Sequence, residues 1–259
     1  MSHGALVVTY HAVEPGPSPI CVDPDLFRRQ LDELVGGGAR SLTVRELGER
    51  LAAGTLPDRA VALTFDDGFA SVVRTAAPLL RERGLTATVF CVAGHLGGRS
   101  DWATQPSGSP RLDLAGADEL AKLAAAGFEI GSHSSTHMPL AGAGAEALRR
   151  ELDDSRRRLE DAVGVEVTSF AHPYGVPAGG GAERLAAAGY HAACTAELRR
   201  VGPKDDPLAL PRVDAWYLKR PALFGLALRE SLLLYLAARR HAARARRLVR
   251  KDYVAHSAR

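Results

Sequence analysis

Short apolar runs rich in β-branched residues recur at 5–10, 40–42, 60–65, 86–91, 128–131, 167–171 and 191–195, and predict seven strands. Segments with helical periodicity lie between them, among them 25–35, 71–83, 117–125, 146–163 and 182–188. Three of these close on glycine immediately before a strand, in RERGLTATVF, AAAGFEIGSH and AAAGYHAACT, as suits a left-handed residue just past a helix end. Regular alternation of strand and helix implies parallel strands joined by right-handed crossovers, either an open doubly wound sheet or a closed β/α barrel. Both architectures gather their chemistry at the C-terminal ends of the strands. The stretch from 95 to 112 (HLGGRSDWATQPSGSPRL) breaks the pattern, and loops of that length usually carry function. After Pro211 the pattern changes to an Ala, Leu and Arg-rich helix over 222–250, too short and too charged in its apolar part to span a bilayer.

With 259 residues, 46% hydrophobic and 24% charged, the chain can bury a substantial core as one large domain or two small ones. A mean hydropathy of −0.08 sets aside polytopic membrane classes. Cys21, Cys91 and Cys194 have no CxxC spacing and read as buried thiols. The net charge of +3 conceals a division: residues 219–259 carry 11 Lys or Arg against Glu230 and Asp252, which leaves −6 for residues 1–218. The expected organisation is therefore a catalytic domain over 1–218 and a basic helical extension over 219–259. The opening MSHGALVVTYHA has no basic segment ahead of an apolar one, so a cytoplasmic location is expected. The extension suits either peripheral contact with an anionic membrane at the cytoplasmic face or cover for the barrel's outside or a second subunit. Nothing forms a nucleic-acid reading module, and the oligomeric state is left open.

The polar residues that follow the apolar runs form a set: His11, Asp66 and Asp67, His133 and His137, Pro173 and Tyr174. Two histidines four apart plus one carboxylate supply three N/O ligands, leaving a position open on a catalytic metal. Successive side chains at a strand end diverge, so one of the two aspartates can ligate while the other takes a proton. Each pattern also has a plain reading: exposed turn histidines for HxxxH, a helix N-cap for Asp-Asp-Gly, and a hydrogen-bonded core histidine for His11.

In combination, TFDDGF at 64–69, HSSTH at 133–137 and FAHPYG at 170–175 resemble the polysaccharide deacetylases with a NodB-type domain, carbohydrate esterase family 4. The resemblance extends from residue 5 to about 216 and implies a distorted (β/α)7 barrel. It implies that Asp67, His133 and His137 bind a divalent metal, with zinc the first expectation and cobalt, nickel, iron or manganese compatible. It also implies that Asp66 is the general base and that the Tyr174 backbone N–H helps form an oxyanion hole. Two departures matter. Ala171 stands where the family usually has the arginine that orients the base, and Arg212 in LPRVDAW is a candidate replacement, unless it pairs at the surface with Asp214. No late Leu-x-x-His motif supplies the usual general acid. TYHAV at 9–13 looks like the arrangement of a permuted branch similar to the poly-N-acetylglucosamine deacetylases, which makes His11 the acid, with His172 its rival.

The function implied is metal-dependent removal of an N-acetyl group from an amino sugar in a glycan or glycan precursor. Trp102, Trp216 and Tyr217 are candidate sugar platforms or packing residues. Two alternatives remain: hydrolysis of another non-peptide C–N bond, such as a cyclic ureide or imide, and a non-catalytic glycan-binding barrel.

Overall fold

A computed structural model describes residues 4–105, 108–177, 180–219 and 223–225. The basic extension predicted over 219–259 therefore lies almost wholly outside the described residues. Eight parallel strands form one sheet: β1 (Leu6–Tyr10), β2 (Arg40–Leu42), β3 (Ala60–Phe65), β4 (Thr88–Cys91), β5 (Glu129–Ser132), β6 (Ser169–Ala171), β7 (Ala192–Cys194) and β8 (Val213–Asp214). Seven match the predicted runs; the eighth is two residues long and gives no periodic signal. The order is β7-β6-β5-β4-β3-β1-β8, with β2 and β4 sharing one edge of β3, β2 against its first half and β4 against its end. The sheet curls into a half-barrel of the NodB type with helices flanking it. Its two ends approach through one short segment, because Leu210 bridges Cys194 and Val213 then joins β1.

Alternation along the strands sorts side chains into two packed groups. Leu6, Val8, Tyr10, Val61, Leu63, Phe65, Val89 and Ile130 face outward onto Phe27, Leu31 and Leu34 of α1 (Pro24–Gly36) and onto Leu120 and Leu123. Val7, Ala60, Ala62, Phe90, Ala171, Ala192 and Cys194 face inward and pack with Leu47 and Leu51 of α2 (Val44–Ala52). Most inward residues are small, which a tightly curved sheet requires. Helix α2 begins at a capping box between Thr43 and Glu46 and lies against β7.

The remaining helices are α3 (Ala77–Arg81), α4 (Ala117–Ala125), α5 (Ala145–Arg149), α6 (Ser155–Val163) and α7 (Gly181–Ala187). The predicted helix over 71–83 is a π-helical turn, Val72–Ala76, running into α3. The one predicted over 146–163 is α5, a π-helical turn at Arg150–Asp154, and α6. Gly84, Gly127 and Gly189 all have positive φ, as their places after helices demanded. No helix among the described residues is long and apolar enough to cross a membrane.

The interior is full at Gly131, where a Cβ would stand 2.5 Å from the Phe90 ring and 2.8 Å from Ser169 Oγ. Overpacking of this kind costs about 1–3 kcal/mol. Gly131→Ala should therefore lower the thermal midpoint measured by circular dichroism, and an unchanged midpoint would show the interior to be looser than described.

Candidate metal centre and active site

The C-terminal ends of the strands surround a cavity whose lining includes Thr9, His11, Asp66, Asp67, Trp102, His133, His137, Tyr174, Arg212 and Asp214. His11, Asp66, Asp67, His133, His137, Tyr174 and Arg212, each expected at the site, are among them, whereas Pro173 is not. Asp66 continues β3, and Asp67 takes a left-handed backbone, φ 72°. That turn brings both carboxylates to the same cavity instead of letting them diverge. Ser134, His137 and Tyr174 are also left-handed, so four of the five non-glycine residues with positive φ among the described residues lie at this rim. Such conformations persist where surrounding contacts over-determine them, and they cluster at functional sites.

The two aspartates have separate partners. Arg212 is 4% exposed and grips Asp66 with both ends of its guanidinium, Nη1 to Oδ1 at 2.7 Å and Nη2 to Oδ2 at 2.9 Å. Its other donors reach Thr64 Oγ1 and the Thr195 carbonyl. Arg212 thus pairs with Asp66 and not with Asp214, which instead accepts from the Trp216 N–H. Burial pushes the Asp66 carboxyl up, but the charge and hydrogen bonds of Arg212, with His133 and His11, outweigh it and leave the group below its ordinary value.

Asp67 faces the histidines. His137 Nε2 and His133 Nε2 stand 3.2 and 3.5 Å from its Oδ1, and that buried oxygen has no hydrogen-bond partner. Burial alone would raise this carboxyl; His137, His11 and His133 together hold it well below the carboxylate range. His133 Nδ1 lies 2.8 Å from the Ala171 carbonyl, which only accepts, so Nδ1 carries the proton and Nε2 presents a lone pair. Burial holds His133 down at about 4, so it is neutral at neutral pH. Asp67, His133 and His137 offer ligand atoms within 4.8 Å of one another, the one such cluster among the described residues. An orphaned carboxylate oxygen facing two imidazoles is a donor set that fits a divalent cation.

His172 stands differently. It is buried, packs edge-on to Phe170, does not line the cavity and is held at about 4, chiefly by burial. His11 lines the cavity and is part-exposed. Trp102, from the long loop, stacks on His137 with ring centroids 4.4 Å apart. Trp216 and Tyr217 lie outside the cavity lining, and Lys219 Nζ sits 3.6 Å over the Trp216 ring. Sequence reasoning missed Thr104, which accepts from the Tyr174 hydroxyl at 2.8 Å and donates to the His137 carbonyl at 2.9 Å. It also missed Glu151, which lies in an acidic ELDD run that reads as solvated helix.

The polysaccharide deacetylase family profile matches residues 53–193. The poly-β-1,6-N-acetyl-D-glucosamine N-deacetylase of Staphylococcus aureus is 24% identical over 201 residues, covering 74% of this chain and 67% of that protein. The chain spans 56% of the length of the Bacillus subtilis relative YxkH. Among solved structures, IcaB from Ammonifex degensii superposes with a TM-score of 0.73 at 26% identity, covering 88% of this chain and 98% of that one. The Streptococcus pyogenes deacetylase PplD, in complex with acetate, shares the fold with a TM-score of 0.74 at 21% identity, over 89% of this chain and 99% of that one. With its motifs gathered around one cavity and more than half its length matched by the profile, the chain belongs to the polysaccharide deacetylase family.

Proposed function

We propose that this protein is a metal-dependent N-deacetylase that removes acetyl groups from an N-acetylated amino sugar in a glycan or glycan precursor. The observation that carries the reading is the division of the acidic pair, one carboxylate clamped by Arg212 and its neighbour turned to two histidines. The kinship with a poly-N-acetylglucosamine deacetylase supports the choice of substrate class. Arg212 brings a guanidinium to Asp66 where Ala171 cannot, which supports a catalytic reading over a merely binding barrel.

A divalent cation held by Asp67, His133 and His137 supplies Lewis acidity, which acidifies water and polarises a carbonyl oxygen. Asp66 is the general base. Its carboxylate has lone pairs beyond the two that Arg212 engages, and its lowered pKa keeps it ionised to accept the proton of the attacking water. The Tyr174 backbone N–H donates to the developing oxyanion, a donor typically worth about 3 kcal/mol. Arg212 holds Asp66 in one rotamer. His11, on the cavity wall, is the general acid that protonates the departing sugar nitrogen, without which an amine is a very poor leaving group.

Acetate release from N-acetylglucosamine oligomers by metal-loaded protein should be abolished in Asp66→Asn, and release by that variant at the wild-type rate would remove Asp66 as base. His11→Ala should lower kcat/KM by about 10²–10⁴-fold while leaving bound metal at the wild-type level. An unchanged kcat/KM would assign the acid elsewhere. On the acid side, ligation needs neutral His133, which burial holds down at about 4. In metal-free protein the His133 ring should therefore stay neutral through neutral pH by NMR, and titration of that ring near its ordinary value would show that burial does not hold it neutral.

A further inference from the structure

We infer that Glu151 is a positioning residue for the metal centre: through a π-helical turn it clamps the loop that carries both histidines and so sets the cation affinity. This rests on the proposed metal-dependent reading. The loop HSSTH has left-handed residues at Ser134 and His137, so its intrinsic preference does not hold it in place. Glu151 lies 4% exposed beneath it. Its Oε2 accepts from the N–H groups of Ser135 and Thr136, both at 2.9 Å, and its Oε1 accepts from Thr136 Oγ1 at 2.8 Å. One carboxylate thus satisfies three donors in the two residues just before His137, while touching neither imidazole.

The π-helical turn Arg150–Asp154 and the first residue of α6 supply further anchors. The Arg150 carbonyl accepts from Ser135 Oγ at 3.1 Å, and Ser155 Oγ lies 2.8 Å from Ser132 Oγ, which accepts from the Ser134 N–H at 3.2 Å. From the opposite side Gly94 N–H donates to the Ser135 carbonyl at 2.8 Å, an approach that a Cβ on Gly94, 2.5 Å from that oxygen, would block. Inserted turns of this kind are frequent at functional sites. Here the turn belongs to a helix that contributes nothing to the cavity lining, and its one buried carboxylate is spent entirely on the ligand loop.

The test measures Zn²⁺ affinity by chelator competition, with the thermal midpoint of each variant recorded with and without Zn²⁺. Glu151→Ala and the shorter Glu151→Asp should bind Zn²⁺ about 10–100-fold more weakly, the usual effect of losing a partner that orients the ligands. The midpoint rise on adding Zn²⁺ should shrink accordingly. Glu151→Gln should stay within about threefold of wild type, because its carbonyl can take both N–H bonds and its amide can donate to the Thr136 hydroxyl. Should the alanine variant not fold, the contrast between Asp and Gln decides. Folded Ala or Asp variants with wild-type affinity, or midpoints lowered equally with and without Zn²⁺, would reduce Glu151 to a general structural role and overturn the inference. Failure of wild-type protein to bind Zn²⁺ would overturn the metal-dependent reading itself.

Discussion

Two buried carboxylates joined by one peptide bond repel each other, and in a low-dielectric cavity one of them would ordinarily keep its proton. Asp66 and Asp67 both stay ionised because each has its own cationic or imidazole neighbours: Arg212 for the first, His137 and His133 for the second. The rest of the site follows from that division. The left-handed turn at Asp67 aims the two groups at different partners within one cavity. Arg212 can reach Asp66 because β8 lies beside β1, which brings the segment before it across the mouth of the half-barrel.

The parallel sheet makes this economical. Its strand ends deliver the acidic pair from β3, the histidine loop from β5 and Tyr174 from the turn after β6, while β1 delivers His11. None of these groups is near the others in sequence. Their alignment depends on small inward residues such as Ala60, Ala62 and Ala171, which let the sheet curl tightly enough for its ends to converge. Ala171 contributes twice, since its carbonyl also fixes which His133 nitrogen faces Asp67.

Strand positions and the chemical residues were legible because each is encoded locally, as a β-branched run followed by polar groups. Helix α2 was less so: Gly48 interrupts its apolar face, and the reason for that glycine, that a Cβ there would stand 2.9 Å from the Ala192 Cβ, lies 144 positions away. The π-helical turns left no mark, since one inserted residue shifts a helical period too little to distinguish from noise. The pairing of Arg212 with Asp66 rather than Asp214 is a matter of tertiary register. Glu151 and Thr104 were invisible for the same reason, as their partners are loop backbone groups whose direction no sequence pattern records.

Arg212 keeps Asp66 ionised beside a second buried carboxylate, and the pH dependence of kcat/KM in Arg212→Gln tests this most directly. Without the guanidinium, burial and the nearby Asp67 should drive the Asp66 carboxyl upward, so the acid limb should move toward neutrality relative to the wild type while bound metal stays at the wild-type level. An acid limb that remains where the wild type has it, in protein of unchanged metal content, would contradict the claim that this ion pair sets the state of the base.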